Sequence, residues 1–221
     1  MAFGLVESAV VVYIRELYYP EGFSFPLKAI STRVITTELW REAATILMLI
    51  TIGVLAGKNS IQRFAYFLIS FAVWDIFYYI FLKLFINWPE SLFTWDILFL
   101  IPITWFGPVI TPVILSFLMI ALALMLLYKN QKLVLFEWIL LISGAAVSIV
   151  SFTWDYISYL LESTAFQPKE NIVNLSLTYI PRHFDWWIFF IAIVLVVSVM
   201  VSYYVRTTRN KKKLQMMQMF V

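Results

Sequence analysis

The sequence predicts an all-α polytopic membrane protein, a bundle of six transmembrane helices arranged as three helical hairpins. Apolar and aromatic residues make up 62% of the 221-residue chain and charged residues only 13%, whereas a soluble domain has about 45–50% and about 25%. The apolar residues fall in continuous runs of about the length that a helix needs to cross a bilayer. Basic connectors follow every second run, which is the alternation that a membrane topology requires.

The predicted spans follow one another along the chain with short connectors. They are Met1–Tyr19, Val34–Gly57, Phe64–Asn87, Val109–Tyr128, Leu133–Leu161 and Asp185–Arg206. Helices are expected throughout, because unpaired backbone groups in lipid cost several kcal/mol each. The first run carries Glu7, Arg15 and Glu16 and lacks the basic leader of a signal peptide, so we interpret it as a retained helix.

The distribution of lysine and arginine predicts the orientation of the bundle. Nine of the sixteen basic residues lie in three segments that contain no acid, Lys58–Arg63, Lys129–Lys132 and Arg206–Lys213. Basic segments of this kind stay on the cytoplasmic side. We therefore expect an integral protein of a prokaryotic cytoplasmic membrane with both termini cytoplasmic. Residues 1–206 would form a single helical bundle surrounded by membrane lipids, and residues 207–221 a basic cytoplasmic tail.

The segment from Trp88 to Pro108 differs from the spans. Its apolar run, Ile97–Ile101, is too short to cross a bilayer, and prolines interrupt the segment at both ends. We interpret residues 95–108 as a re-entrant or interfacial half-helix, which survives at membrane depth only where protein covers it. An amphipathic loop lying on the outer surface is the alternative interpretation.

Charged residues within the spans are the first candidates for a functional site, because they are costly in lipid and usually face the bundle interior. Asp75 lies near the middle of the third span, with Tyr78 and Tyr79 one helical turn further along. A phenol can hydrogen-bond a carboxylate and hold it in place. Asp75 is thus predicted to bind a ligand or carry a proton, with a purely structural acid as the alternative.

The second span carries a compact charged group. Glu38 faces Arg41 and Glu42 at spacings of three and four residues. One arginine between two glutamates can keep both ionised, or one of them can hold a proton. We predict that this group lines the same site, and an interfacial charge network is the alternative. Glu7 of the first span has no basic neighbour nearby and needs a partner from another helix or a proton.

Aromatic residues are the third signal. They make up 19% of the chain and include nine tryptophans, most of which fall near the predicted outer boundary. An interfacial aromatic belt explains some of them, but a belt is normally two-sided. The outer excess favours a recess walled by rings and acids, suited to a cation or a flat apolar ligand. Besides the residues above, its predicted lining includes Trp74, Trp95, Asp96, Trp154 and Asp155.

Several classes of function are excluded or unsupported. The chain has no cysteine and one histidine, so we expect no metal site and no haem. It contains no phosphate-binding or dinucleotide-binding glycine loop and no Ser-His-Asp set. No cofactor is therefore expected, and no catalytic residue can be assigned. This composition also excludes a nucleic-acid module.

Three hypotheses of function remain. The first is a membrane protein that binds a small amphipathic or cationic ligand from the outer side, for transport or substrate capture. The second is a non-catalytic subunit of a larger membrane complex, partnered by other subunits or by copies of itself. The third is an intramembrane enzyme that acts on a lipid or isoprenoid, with a protonated carboxyl as the general acid.

Overall fold

The computed structural model describes residues 1–101, 103–166 and 172–219, with side chains at all of these except 166, 172–174 and 211–219. The helices are α1 Ala2–Tyr18, α2 Thr32–Ala56, α3 Ser60–Ile86, α4 Ile110–Lys129, α5 Leu135–Phe166, α6 Ile172–Thr178 and α7 Trp186–Met219. Within the described residues, five helices are long and apolar enough to cross a membrane, namely α2, α3, α4, α5 and α7. This confirms an all-α polytopic membrane protein.

The first predicted span does not belong to these five. Helix α1 has 17 residues, about 26 Å at 1.5 Å each, and three of them are charged. Gly4 packs so closely on α3 that an added Cβ would lie 2.9 Å from the carbonyl oxygen of Trp74. Trp74 lies about 21 Å along α3 from its first residue, Ser60. Helix α1 therefore runs beside only the second half of α3, and the six-span count is corrected to five among the described residues.

Helix α3 lies at the centre of one half of the bundle and contacts α1, α2 and α4. Helices α5 and α7 pack along each other and form the other half, which joins the first through α4 and α7. The predicted hairpins of spans three and four and of spans five and six are α3–α4 and α5–α7. Helix α1 packs along α3 instead of forming a hairpin with α2. Gly53 brings α2 close to α3, since a Cβ there would lie 2.6 Å from the Arg63 carbonyl oxygen.

The three basic segments meet at one end of the bundle, which we call the basic end. The Nδ2 atom of Asn59 lies 3.1 Å from Oδ1 of Asn130, and Nζ of Lys129 lies 3.1 Å from Oγ1 of Thr208. Arg206 donates to the carbonyl oxygen of Lys132 at 2.9 Å. Helix α7 continues without a break past Arg206 to Met219, so the predicted tail begins as an extension of the last helix.

The other end, which we call the aromatic end, is held together by rings from the remaining connectors. Phe93 contacts Trp186 at the start of α7, with ring centroids 6.4 Å apart. Phe106 contacts Tyr179 at 4.8 Å, and Phe23 contacts Trp88 at 6.1 Å. The Trp88–Pro108 segment and the basic segments therefore lie at opposite ends of the bundle.

The predicted half-helix at 95–108 is wrong, because this segment forms an antiparallel hairpin of strands β1 Trp95–Phe99 and β2 Trp105–Pro108. Tryptophan, isoleucine and phenylalanine favour extended backbone, and Pro102 between the strands cannot continue a helix. Strand β2 packs on α4 and α5. The pairing of the two strands gives hydrogen-bond partners to backbone N–H and C=O groups that an irregular segment would leave unpaired. Backbone at membrane depth requires such partners.

A buried ion pair joins α5 to α7 at the basic end. Glu137 is fully buried, and Arg206 donates to its two carboxylate oxygens at 3.0 and 2.8 Å. The backbone N–H of Val134 donates to the same carboxylate at 3.0 Å. The glutamate therefore links the start of α5 to the basic segment of α7, and both of its carboxylate oxygens accept hydrogen bonds.

Replacing Glu137 with glutamine should lower the free energy of unfolding by about 1–3 kcal/mol, since the amide cannot accept both arginine hydrogen bonds. The measurement is unfolding by sodium dodecyl sulfate in mixed micelles, followed by circular dichroism. Glu162→Gln is the matched control, because Glu162 lies exposed on the same helix. Equal stability of the two variants would contradict a stabilising role for the pair.

Candidate functional site

A cavity of about 480 Å³ lies toward the aromatic end between α1, α2, α3 and the β-hairpin. Its volume falls within the range of small-molecule sites, about 300–1,000 Å³. The connector before α2 forms its rim, where Lys28 and Ala29 are exposed. Tyr156 of α5 and Leu177 of α6 line the opposite wall. The cavity is therefore reached from the aromatic end of the bundle.

Each of the three helices presents one face to the cavity. The lining residues recur at the spacing of a single helical face, namely Glu7, Val11, Ile14 and Arg15 in α1, Val34, Ile35, Glu38, Arg41 and Glu42 in α2, and Trp74, Asp75, Tyr78 and Tyr79 in α3. On β1, alternation sends Asp96 to the cavity side and Trp95 to the side of Phe184. The periodicity of these elements thus gathers seven charged residues of α1, α2, α3 and β1 into one place.

Arg41 of α2 joins two acids. Its Nε donates to Glu38 at 2.7 Å, and its Nη1 donates to Glu7 of α1. The partner that Glu7 was predicted to need from another helix is therefore Arg41. This shared arginine connects α1 to α2 across the cavity.

Glu42 holds the hairpin. Both of its carboxylate oxygens lie 3.1 Å from the backbone nitrogen of Leu100, in the turn between the two strands. Glu42 is ten residues beyond Thr32, the first residue of α2, a distance of about 15 Å along the helix. The turn of the hairpin is thus fixed against the interior of α2, and Glu42 makes no ion pair among the described residues.

Asp75 is the most isolated acid of the site. Its Oδ2 accepts a hydrogen bond of 2.8 Å from the hydroxyl of Ser116 in α4. Among the described residues it makes no salt bridge, and the hydroxyl that holds it is that of Ser116 rather than a phenol of Tyr78 or Tyr79. Asp75 is half-buried and lines the cavity. It therefore presents a carboxyl group to the cavity with no cation beside it.

Arg15 and Asp96 form a buried pair between α1 and the hairpin. Nη2 of Arg15 lies 3.1 Å from Oδ1 of Asp96, and the guanidinium group lies over the ring of Trp88 at 3.7 Å and that of Phe23 at 4.5 Å. Burial raises the pKa of Asp96 to about 6, against the lowering effect of the Arg15 charge. The pair and the two rings together hold the hairpin against α1.

Some buried polar atoms beside the cavity lack a hydrogen-bond partner in the described part of the chain. They are Nη1 of Arg15 and Nε1 of Trp74. Buried polar groups are nearly always paired in folded proteins. The site therefore has hydrogen-bonding capacity beyond what the protein itself uses.

The raised pKa of Asp96 gives stability a specific pH dependence. The folded protein favours the protonated carboxyl, so the free energy of unfolding should be highest below about pH 4 and fall as the pH rises to about 6. A shift of about two pKa units corresponds to roughly 3 kcal/mol. Detergent-induced unfolding at a series of pH values measures this fall, and the slope should be smaller in Asp96→Asn. Identical slopes in the two proteins would refute the assignment.

The structure brings together eight of the eleven residues predicted to line a site. The eight that line the cavity are Glu38, Arg41, Glu42, Trp74, Asp75, Tyr78, Tyr79 and Asp96. Trp95 packs on Phe184, and Trp154 is 51% exposed on the outer surface of the bundle. Asp155 accepts hydrogen bonds from the Tyr179 hydroxyl at 2.7 Å and the Arg182 backbone. These last three residues lie away from the cavity.

The cavity also depends on residues that the predicted set did not include. Arg15 and Glu7 line it, although their charges had marked α1 as unusual. Ser116 was not singled out, but it is the one polar side chain between Thr111 and Tyr128 of an otherwise apolar helix. A polar residue isolated in an apolar span was therefore the signal that could have identified Ser116.

No group of three or more acidic or histidine side chains is placed to hold a metal ion within the described ranges. Comparison of the chain with protein families, curated proteins and solved structures finds no match.

Proposed function

We propose that this integral membrane protein binds a small cationic, amphipathic ligand in the cavity, for transport or for substrate capture. The basic end faces the cytoplasm, as the positive-inside rule requires, and the cavity opens to the outer side. The observation that carries the proposal is the pair of acids, Asp75 and Glu42, that line the cavity without a salt bridge to any described residue.

The charge balance of the cavity favours a cation. Its lining includes five carboxyl groups and three basic groups, a formal charge of −2 if all are ionised. Arg41 and Arg15 are engaged by Glu7, Glu38 and Asp96, and the third basic group, Lys28, lies exposed at the rim. A positively charged group that entered the cavity would compensate acids that have no salt bridge to any described residue.

The walls favour a ligand with apolar or aromatic parts. Rings of Phe23, Tyr78, Tyr79 and Phe99 line the cavity beside aliphatic residues of α1, α2 and β1. Aromatic faces attract cations, and the attraction strengthens where water is excluded. A cation with an apolar body would therefore gain both from the rings and from the acids.

The test compares two probes of the same shape and opposite charge. Tetraphenylphosphonium should bind the purified protein in mild detergent and quench its tryptophan fluorescence saturably, while tetraphenylborate should not. Excess unlabelled tetramethylammonium should compete only weakly, because it lacks the apolar body. Equal binding of the phosphonium and the borate, or no saturable binding of the phosphonium, would reject the proposal.

The hypotheses of a complex subunit and of a lipid-directed enzyme make different predictions. A subunit would be unstable alone, so light scattering of the purified protein should show heterogeneous species rather than one defined mass. An enzyme would use Asp75 or Glu42 as a general acid, and copurified lipids would then include a converted product. The comparison of the phosphonium with the borate discriminates best among these experiments, because it does not require the natural ligand to be known.

A further inference from the structure

Among the described residues, Asp75 is the acid of the cavity that has neither an ion pair nor an arginine beside it. Glu7, Glu38 and Asp96 each contact an arginine, and Glu42 lies beside Arg41 and accepts from a backbone N–H. Within the described part of the chain, Asp75 accepts a hydrogen bond only from the Ser116 hydroxyl. An ionised carboxylate within a membrane-embedded bundle is costly without a cation or several donors.

The charged groups around Asp75 do not supply that cation. Helix α1 offers Arg15, which is paired with Asp96, and α2 offers Arg41, which is paired with Glu7 and Glu38. Helix α4 has no titratable residue between its start and Tyr128. The two arginines that face the cavity are therefore already neutralised.

The remaining neighbours oppose a negative charge on Asp75. They are the carboxyl groups of Glu7, Glu38, Glu42 and Asp96. Like charges in one site disfavour the ionisation of each other. A proton on Asp75 therefore stabilises the cavity as long as no cation is bound there.

We propose that Asp75 holds an exchangeable proton, and that a cationic ligand binds in exchange for it. The inference rests on the proposed function and names its coupling ion. As the cation arrives, the O–H bond of the Asp75 carboxyl breaks, the proton leaves to water, and the carboxylate pairs with the ligand. One positive charge enters and one departs, so the charge of the site is unchanged. A protein that transports its ligand would by this exchange work as a proton antiporter.

The experiment is calorimetry of tetraphenylphosphonium binding to the full chain in buffers of different ionisation enthalpy. The probe carries a fixed charge and no proton, so any proton released comes from the protein. We expect about one proton released per bound cation, and an affinity that rises up to about tenfold per pH unit. Asp75→Asn should release almost none, while Asp155→Asn, which removes an acid outside the cavity, should behave as the unchanged chain does.

The calorimetry distinguishes a failure of the proton exchange from a failure of the proposed function. Binding with no proton release at any pH would overturn the exchange and leave the cation site intact, whereas no binding would overturn both. Infrared spectroscopy of the ligand-free protein supplies a second measurement. A protonated-carboxyl band that shifts in Ser116→Ala and disappears when the phosphonium binds is expected, and its absence would also overturn the exchange, even if Asp75→Asn does not fold.

Discussion

Replacing Asp75 with asparagine should weaken tetraphenylphosphonium binding by about 30- to 150-fold. The change keeps the shape of the side chain and its capacity to accept from Ser116, but removes the negative charge that the carboxyl group takes on when the cation binds. Loss of one partner of a buried charge pair costs about 2–3 kcal/mol at the lower end of measured values, and 1.4 kcal/mol is tenfold in Kd. Fluorescence titration of the purified variant measures the effect.

Asp155→Asn is the matched control for this result. Asp155 is also an aspartate within a long helix near the aromatic end, but its carboxylate is engaged by Tyr179 and Arg182 outside the cavity. Its replacement should leave the affinity within about twofold, since Asp155 does not line the cavity. A similar loss in both variants would show that the phosphonium responds to overall charge rather than to this site.

Replacing Arg15 with methionine should lower the free energy of unfolding by about 3–5 kcal/mol. The change leaves Asp96, which is 2% exposed, without its cation, and such a removal of one partner strands a buried charge. It also removes the guanidinium group that lies over Trp88 and Phe23. The loss should shrink toward pH 4, where Asp96 is protonated, because its pKa of about 6 lies above that value.

The double variant Arg15→Met with Asp96→Asn keeps this prediction testable if the single variant does not fold. With the carboxylate gone, most of the lost stability should return, whereas unrelated damage to α1 would persist. Arg33→Met is the control, since Arg33 is exposed in the first turn of α2 and makes no ion pair among the described residues. Unfolding in mixed micelles gives all of these values.

Membrane class and the positions of the long helices could be predicted from the sequence. Lipid requires long apolar runs whatever the tertiary contacts are, so the predicted runs at Val34–Gly57 and Phe64–Asn87 agree with α2 and α3 to within a few residues. The same physics identified the unusual acids, because a charge in an apolar run is costly wherever it lies. Asp75 and Glu42 therefore stood out without any knowledge of their neighbours.

The hairpin and α1 could not be predicted in the same way. Strand pairing of Trp95 with Pro108 and of Asp96 with Gly107 is a contact between residues more than ten positions apart, and short apolar runs are ambiguous between helix and strand. The length of α1 was close to that of a span. Its place beside the second half of α3 follows from the contact of Gly4 with Trp74. The spacing of apolar residues along the chain does not indicate this contact.

Hydrophobic length and charge, which each residue carries along the chain, were sufficient to establish a polytopic helical protein whose acids gather away from its basic connectors. Which acid has which partner depended on packing. The contacts of Arg41 with Glu7, of Glu42 with Leu100 and of Asp75 with Ser116 each join separate elements. The free-energy cost of burying a carboxyl group depends on its nearest donors and cations. The distinction between an acid with a salt bridge and an acid without one therefore arises only when the helices assemble.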